Sequence, residues 1–382
     1  MKIALVKQEI YQDLYVCAKG SSPEDTLLSS IMRVGPIGLI EELNADFYIV
    51  KEEKNRETQL YKKVVPHITP YLHLLKTDTA DKLPGQSFKS PGSPFPNGKF
   101  AVDCHTINWG LYDIVITINI ALPTSIIQKY PQSLFCYMIG EANMATEKAR
   151  FGYDVTLNQM ARGIVAQHCG VIDFPYTFVG PNTLERIMQR VLGRSSERKG
   201  VFMEINSTTE RPVTKIPPHF IPLKNAGYDI ILHKQNIREN LTSIYDSKYF
   251  VKMGGRCIRG NSVAEAISLG SLAIMDRNQV IHKELILDEC NVKNMQDVIA
   301  LITKLDNDEE LYLSLLTRQR AILDRLFYNA PLQSLKNCLE AKRNGNYRPY
   351  TPIDKIRDIK WLYIGNQTLL QWLKSKLFTY KK

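Results

Sequence analysis

A turn rich in glycines and cations, followed by a helix-like segment, is the part of the sequence best suited to hold a ligand. It runs over residues 252–275 and reads KMGGRCIRGNSVAEAISLGSLAIM. Lys252, Arg256 and Arg259 stand in the turn, and a short helix and an apolar strand are predicted after it. A helix N-terminus presents free backbone N–H groups, which together with glycines and cations favour a phosphate group. The stretch therefore predicts a phosphate-binding turn.

Ser262 and Glu265 leave a simpler interpretation open. Their spacing is that of a capping box, in which a hydroxyl and a glutamate three residues later satisfy the first backbone N–H groups of a helix. Such a pair starts a helix and needs no ligand. The adjacent glycines, Gly254 and Gly255, and the arginines of the turn favour ligand binding over capping alone.

A polar segment after another predicted strand adds to this site. In open α/β sheets, ligands bind outside the carboxyl ends of the strands. Hydroxyls, amides and arginine forks are suited to a diphosphate, and a carboxylate in the helix is suited to ribose hydroxyls. The residues predicted to bind such a ligand are Asn206, Ser207, Thr208, Arg211, Lys252, Gly254, Gly255, Arg256, Arg259, Asn261, Ser262, Val263 and, on the ribose, Glu265.

The composition is that of a soluble globular protein long enough for two domains. The chain has 382 residues, of which 44% are hydrophobic and 23% charged, and a net charge of +10. The positive charge suits phosphorylated substrates, anionic lipid or nucleic acid. No apolar run reaches the roughly 18 residues of a membrane span, and the first residues are predicted to form a strand instead of a signal peptide. The 7 cysteines are scattered without metal-ligand spacing, which predicts reduced thiols, a cytoplasmic location and no zinc site.

Strand-like and helix-like segments alternate, which predicts parallel sheets covered by helices. The first series of predicted strands is 1–6, 46–51, 113–119, 133–139 and 153–157. The second series is 200–205, 228–233, 248–252 and 271–275, with helices over 295–305 and 308–327. A helix-like stretch over 25–43 is interrupted by Gly35-Pro36, and residues 76–99 are predicted to form a surface loop.

The segment Tyr249–Ile274 resembles the donor-binding element of the exostosin-like glycosyltransferases. It has their aromatic strand, Gly/Arg turn, serine, acidic helix residue and small-residue Leu-Gly turn. In such families this element binds the nucleoside diphosphate of a sugar donor. The resemblance implies that Glu265 contacts the ribose, that the backbone of Ser262 and Val263 contacts the phosphates, and that Arg256 neutralises diphosphate charge.

As a whole, the chain looks like a glycosyltransferase of the two-Rossmann-domain type, the GT-B fold. This implies an α/β protein with two Rossmann-like domains facing across a cleft, and a C-terminal helix packing back on the first domain. Residues 1–185 would be the acceptor-side domain, 186–345 the nucleotide-sugar-binding domain, with 186–199 as a linker, and 346–382 the return helix. The implied function is transfer of a sugar from a nucleotide-sugar, a substrate and not a cofactor, to a hydroxyl of a glycan, glycolipid or protein.

The basic, amphipathic tail over residues 355–382 has a second interpretation. Tryptophans and leucines at helical spacing among lysines also suit peripheral contact with an anionic membrane. Packing against the first domain is the favoured prediction, because such spacing is more common in protein cores.

Glu141 is the predicted catalytic residue. Many retaining enzymes of this fold have two glutamates eight positions apart, and here the earlier position is Cys257, which favours an inverting transfer. An inverting transfer needs a general base for the acceptor hydroxyl. Glu141 follows a predicted buried strand, where desolvation would raise its pKa. A role in capping a helix or pairing with Lys148 or Arg150 stays open.

Two segments are predicted to form the acceptor side of the cleft. One contains glycines that allow a tightly packed backbone, and the other contains Asp103 and His105, which are a second candidate for the general base. These residues are Arg33, Gly35, Gly38, Asp103 and His105. No Asp-x-Asp follows a predicted strand, since Asp306-Asn-Asp308 lies between helices. The transfer is therefore predicted to be independent of metal ions.

Two other classes of function remain as alternatives. One is a non-catalytic module of the same fold that binds a nucleotide or a glycan. The other is a nucleic-acid-binding protein, but the basic residues are dispersed and no aromatic RNA-binding signature or paired-cysteine finger is present, so no nucleic-acid partner is expected. A nicotinamide enzyme is disfavoured, because no Gly-x-Gly-x-x-Gly follows the first strand.

Overall fold

The computed structural model describes the chain in several ranges. They are residues 1–8, 35–50, 72–75, 101–102, 105, 107–118, 122, 124–139, 152–158, 171–204, 215–233, 237–254 and 261–346. Within these ranges the protein forms two β-sheets, one of 8 strands and one of 4, in which every strand pair is parallel. The predicted α/β class with two parallel-sheet units is confirmed.

The first sheet has the strand order β4-β3-β2-β1-β5-β6-β7-β8. Its strands are β1 (Ile3–Gln8), β2 (Asp46–Val50), β3 (Leu72–Leu75), β4 (Ala101–Val102), β5 (Ile114–Ile118), β6 (Leu134–Ile139), β7 (Val155–Asn158) and β8 (Val171–Asp173). The chain moves outward from β1 to β4 and then returns to place β5 on the other side of β1. Both faces are covered, and all five residues of β5 are buried, as expected for a parallel strand of continuous Ile, Val and Thr.

The second sheet has the order β10-β9-β11-β12. Its strands are β9 (Val201–Met203), β10 (Ile230–Ile231), β11 (Tyr249–Lys252) and β12 (Leu272–Met275). The chain moves from β9 to β10 and then crosses back, so that β11 lies on the other side of β9. Strands β9 and β11 are paired so that Met203 lies opposite Val251. Because the chain leaves β9 toward one edge and returns on its other side, the strand order reverses between β9 and β11.

Helices connect and cover the strands. They are α1 (Gly35–Leu43), α2 (Thr124–Lys129), α3 (Thr183–Leu192), α4 (Ile221–Asn225), α5 (Ile237–Asp246), α6 (Asn261–Leu269), α7 (Met295–Asp306), α8 (Glu309–Leu323) and α9 (Ala330–Arg343), with a π-helical turn (Asp324–Asn329) between α8 and α9. One contiguous apolar core contains buried residues of both sheets, and a second covers the other face of the first sheet around Trp109. None of the helices described is long and apolar enough to span a bilayer.

The return to the first sheet is made by α9. Lys342 pairs with Asp154, which directly precedes β7, and Arg343 pairs with Asp113, which directly precedes β5. Helix α9 thus packs on the first sheet. Beyond position 346, the predicted return helix over 346–382 lies outside the described residues, as does the tail over 355–382, for which membrane contact is the alternative interpretation.

One sequence-based boundary, that of the predicted linker, differs in the structure. Gly35-Pro36 stands at the start of α1, where proline is tolerated in the first turn, and residues 25–34 of the predicted stretch lie outside the described residues. The predicted linker over 186–199 starts within α3, which ends at Gly193 in the left-handed conformation (φ 64°). The division at 185/186 therefore falls inside a helix. The predicted loop over 76–99 lies outside the described residues.

Candidate functional site

The candidate site is the carboxyl edge of the second sheet at β9 and β11. These strands lie on either side of the reversal in strand order, which is where ligands of open α/β sheets bind. The predicted segments Asn206–Arg211 and Gly255–Arg259 follow β9 and β11 in the chain and lie outside the described residues. The structure therefore shows the strand ends from which both segments leave, and not the segments themselves.

Lys252, the last residue of β11, joins two of the strand ends. It is fully buried, and its Nζ donates to the carbonyl oxygen of Gly254 (2.8 Å) and to Oε1 of Gln279 (3.1 Å). Gly254 has φ +73°, which favours glycine. Gln279 ends the 3₁₀ turn (Arg277–Gln279) that follows β12. The ammonium of Lys252 thus links the exits of β11 and β12.

Glu204 is a buried carboxylate that is not among the predicted ligand-binding residues. It is the first residue after β9, is 8% exposed, and its backbone N–H donates to the carbonyl of Val251 (2.9 Å). Side chains two apart on a strand share a face, so Glu204 and Lys252 extend from the face of the stacked rings of Phe202 and Phe250. The prediction placed Glu204 inside a strand, although a single carboxylate ending the apolar run Val-Phe-Met was a signal for a strand end.

His233 lies at the carboxyl end of the neighbouring strand, β10, and was also missed. It is 7% exposed, its ring nitrogens lie 3.1–3.2 Å from the side-chain amide of Asn240, and its ring contacts that of Phe202. Polar side chains thus end β10, β9 and β11, three adjacent strands of the sheet.

Helix α6 presents one half-buried side. Asn261, Ser262 and Glu265 are half-buried, whereas Val263 and the remaining residues of the helix are buried. Residues at i, i+1 and i+4 share one side of a helix. The side chains predicted to meet the donor therefore lie on the least covered side of α6.

The predicted capping box is not present in the form expected. Because α6 begins at Asn261, Ser262 is its second residue and Glu265 its fifth, so Ser262 does not occupy the N-cap position. Residue 260, which precedes the helix, lies outside the described residues.

The buried side of α6 is fixed against α3 and the segment before it. Oγ of Ser268 donates to the carbonyl of Gly180 (2.9 Å) and accepts from the backbone N–H of Leu184 (3.1 Å). Gly270 ends α6 with φ +90°, at a point where a Cβ would lie 2.1 Å from the guanidinium of Arg198. These contacts hold the helix in place relative to the sheet.

The exit of β12 is also ordered by polar contacts. The carboxylate of Asp276 accepts from the backbone N–H of Asn278 (2.9 Å) and pairs with Nζ of Lys293 (2.7 Å). The hydrogen bond from Lys293 holds the pKa of Asp276 below its ordinary value. Asp276 therefore stays ionised and fixes the turn that carries Gln279.

The acceptor-side predictions are only partly described. Gly38 is buried in α1, where a Cβ would lie 1.3 Å from the carbonyl oxygen of Phe178. The tight backbone approach expected of Gly38 therefore exists, but it is to the protein's own backbone. Gly35 begins α1, and His105 is exposed in a turn. The other predicted residues of this side, Glu141, Arg33 and Asp103, lie outside the described residues.

Potential metal ligands do not cluster in the part of the chain that is described. No group of three or more His, Cys, Asp or Glu side chains there could hold a metal ion. Metal independence of the reaction stays a prediction.

No protein-family model matches the chain, and no curated protein sequence matches it. Among solved structures, the chain is similar to a mutant of the T4 phage β-glucosyltransferase BGT in complex with UDP-glucose, at 11% identity and a TM-score of 0.39, over 90% of this chain and 99% of that chain. It is similar to Anabaena Alr3699/HepE in complex with UDP-glucose, at 10% identity and a TM-score of 0.40, over 89% and 99%. It is also similar to the UDP-GlcNAc 2-epimerase from Neisseria meningitidis bound to UDP-GlcNAc, at 11% identity and a TM-score of 0.41, over 88% and 100%.

At these identities and TM-scores, the similarities carry no functional conclusion for this chain. Its fold class rests on its own strand order and register. The resemblance of residues 249–274 to the exostosin-like donor-binding element stays a prediction.

Proposed function

We propose that this protein transfers a sugar from a nucleotide-sugar donor to a hydroxyl of a glycan, glycolipid or protein. The observation that supports the proposal is the place of the two segments predicted to bind a diphosphate. They follow β9 and β11, the strands on either side of the reversal in the second sheet. Two segments of matching chemistry thus start at the one edge position where this sheet type binds ligands.

The donor would lie along the N-terminal part of α6. Backbone N–H groups of Ser262 and Val263 would face the diphosphate, where the helix dipole favours negative charge. Arg256 and Arg259 would supply positive charge. Glu265, on the half-buried side of α6, would accept hydrogen bonds from the ribose hydroxyls.

The chemical step would use a base from the first unit. Glu141 comes two residues after β6, which lies beside β5 in the first sheet. As general base it would take the proton of the acceptor hydroxyl as that oxygen attacks the anomeric carbon, and the nucleoside diphosphate would leave. This is an inverting displacement, and arginines instead of a metal ion would neutralise the leaving group.

A screen of UDP-, GDP-, CMP- and dTDP-sugars for binding and for hydrolysis tests the proposal. We expect saturable binding of at least one donor and its slow hydrolysis. Failure of a well-folded preparation to bind any of the four would contradict the proposal. Binding without turnover of any acceptor would point instead to the non-catalytic module.

Variants separate the two proposed roles. Glu265→Ala is expected to weaken donor binding about 10- to 100-fold, the usual effect of losing a hydrogen bond to a charged group. The far-UV dichroism should stay near that of the wild type, because Glu265 lies too far into α6 to belong to a cap. Glu310→Ala, an exposed position in the first turn of α8, is the matched control and should bind normally.

Glu141→Gln is expected to keep donor affinity and to lose turnover by about 100- to 10,000-fold, the usual contribution of a general base. Undiminished turnover would show that another residue is the base. The configuration of the product, read by NMR, tests inversion, and the rate in excess EDTA tests metal independence.

A further inference from the structure

The first turn of α3 lies where the chain passes from β8 of the first sheet to β9 of the second, and it contacts both α1 and α6. We propose that this junction sets the orientation of α6 relative to the first unit, and that Ser268, Thr183 and Glu42 are its positioning residues. The inference rests on the proposed function, because the donor is proposed to lie on α6 and the base to come from the first unit.

The side of the junction toward α6 is made by Ser268, which is fully buried. Its Oγ donates to the carbonyl of Gly180 (2.9 Å) and accepts from the backbone N–H of Leu184 (3.1 Å). Within the described part of the chain, the N-cap residue of α3, Asn182, makes no capping bond through its side chain. A hydroxyl of α6 therefore satisfies an amide that the helix's own cap usually satisfies.

The side of the junction toward the first unit is made by Thr183 and Glu42. Thr183 is fully buried, and its Oγ1 accepts from the backbone N–H of Gly180 (2.9 Å) and donates to the carboxylate of Glu42 on α1. Both sides of the junction thus use Gly180, because Ser268 binds its carbonyl and Thr183 binds its N–H. A shift of α6 would therefore act directly on the contact with α1.

Ion pairs beside the junction are more exposed than these hydroxyls. Arg186 pairs with Glu42, and Arg190 pairs with Glu41, but the two arginine side chains are 49% and 47% exposed. Exposed ion pairs contribute little to stability, whereas a buried polar group that loses its partner keeps the full cost of its desolvation. The two buried hydroxyls therefore hold the junction more strongly than the ion pairs do.

The backbone is also closely packed at the junction. A Cβ built on Gly38 of α1 would lie 1.3 Å from the carbonyl oxygen of Phe178. The ring of Phe178 contacts that of Tyr328, with 5.1 Å between the centroids, and Tyr328 belongs to the π-helical turn that leads into α9. A change in the orientation of α6 relative to α1 would have to move these close contacts as well.

Hydrogen exchange tests the junction without any ligand. Ser268→Ala should make amide exchange over Gly35–Leu43, in the first unit, about 5- to 30-fold faster than in the wild type, because it leaves buried polar groups without their partner. Ser271→Ala is the matched control, since Ser271 is also fully buried but its Oγ donates to the carbonyls of Ile244 and Ser247 within the second unit. It should leave exchange over Gly35–Leu43 within about 2-fold of the wild type.

The reciprocal variants start from the first unit. Glu42→Ala should make exchange over Asn261–Leu269 of α6 about 3- to 10-fold faster. Glu41→Ala is the control on the same helix, because Glu41 pairs with the exposed Arg190, and it should leave that exchange unchanged. Glu42→Gln keeps an oxygen that accepts from Thr183 and should exchange within about 2-fold of the wild type.

Steady-state kinetics with the donor and acceptor of the wild type give the second readout. Ser268→Ala and Glu42→Ala should each lower kcat about 10-fold and keep the Kd of the donor within about 2-fold, because the donor contacts remain while the base is displaced from them. Glu42→Gln should restore kcat, and Ser271→Ala and Glu41→Ala should keep both values. A residue that only stabilises the fold would not divide kcat from Kd in this way.

Two results would overturn the inference. One is exchange that changes only in the helix carrying the substitution, or that rises over Gly35–Leu43 equally in Ser268→Ala and Ser271→Ala. The other is a donor affinity that falls as much as kcat, which would place the effect in the donor site itself. If Ser268→Ala does not fold, the comparison of Glu42→Ala with Glu42→Gln carries the test. If the wild type binds no donor, the proposed function fails, while the exchange results still decide whether the junction couples α6 to the first unit.

Discussion

Replacing Lys342 by methionine should destabilise the protein far more than the same change at the next residue. Lys342 and Asp154 form an ion pair whose side chains are only 13% and 9% exposed, and Lys342 also donates to the carbonyl of Ser133 (2.6 Å). Removing one partner of a buried pair typically costs about 3–5 kcal/mol, because the other charge stays buried without compensation. We expect Lys342→Met to lower the free energy of unfolding by that amount at neutral pH.

The control is Arg343→Met. The guanidinium of Arg343 lies 2.6 Å from the carboxylate of Asp113, but the Arg343 side chain is 46% exposed. Exposed pairs contribute about 0–1 kcal/mol. Urea unfolding of both variants, followed by dichroism and by tryptophan fluorescence, should therefore give a difference of at least about 2 kcal/mol between neighbouring positions.

The destabilisation caused by Lys342→Met should also depend on pH. Burial raises the pKa of Asp154 above its ordinary value of 3.8, and Lys342 opposes that rise. A carboxyl group with a raised folded-state pKa gives its full stability below the unfolded pKa and loses it as the pH rises through the folded pKa. Lys342→Met raises that pKa further, so its destabilisation should be largest at neutral pH and shrink as the pH falls toward 4.

Asp154→Asn in the Lys342→Met background removes the uncompensated charge and should recover part of the lost stability. Equal destabilisation by Lys342→Met and Arg343→Met, or a loss for Lys342→Met that does not shrink in acid, would refute the reasoning. Either result would mean that α9 is not held to the first sheet by a buried pair.

Three further predictions concern single side chains. Gly38→Ala should destabilise the protein by more than about 3 kcal/mol in urea unfolding, because the new methyl group would overlap the carbonyl of Phe178 and force α1 to shift; a neutral effect would contradict this packing. Burial raises the pKa of the Cys290 thiol to about 12, so iodoacetamide at pH 8 should modify it in urea but not in the native protein, as read by mass spectrometry. Fast labelling of the native protein would contradict this by showing an accessible thiolate. Burial lowers the pKa of His282 to about 4, so the midpoint of its NMR titration should lie near that pH. Because the folded state resists protonation of this ring, the free energy of unfolding should fall as the pH falls from 6.5 toward 4. A midpoint near 6.5 would show an exposed ring.

Much of the fold follows from the sequence because parallel strands buried on both faces read as continuous apolar runs. The runs ending at Ile118, Ile139 and Met275 are of this kind, and each forms a strand close to its predicted bounds. The short strands β3, β4 and β8 were not predicted. With two to four residues each, they are fixed by pairing with a neighbour more than by their own pattern.

The course of the chain after residue 323 was also beyond the sequence pattern. A helix was predicted to end near 327, but the chain passes through a π-helical turn and continues as α9, with Pro331 in its first turn. Pro331 lies in the first turn of α9, where proline is tolerated, and Lys342 and Arg343 pair α9 with the first sheet.

The sequence predicts a site at two strand ends, and the structure adds buried polar side chains at the ends of the neighbouring strands. Glycines and cations in the turn after β11 were visible in the sequence, because their chemistry is local. Glu204 and His233 were not, since their meaning depends on β9 and β10 lying beside β11. Order among neighbouring strands is set by crossover connections and cannot be read from any one segment.

The most direct test of the donor site is a crystal structure with a bound nucleoside diphosphate, obtained by soaking or co-crystallisation with UDP, GDP, CDP or dTDP at saturating concentration. We expect the diphosphate to lie at the carboxyl ends of β9 and β11, against the N-terminus of α6, with the ribose within hydrogen-bond reach of Glu265. A nucleotide bound elsewhere, or a Glu265 side chain turned away from it, would contradict the proposed donor site.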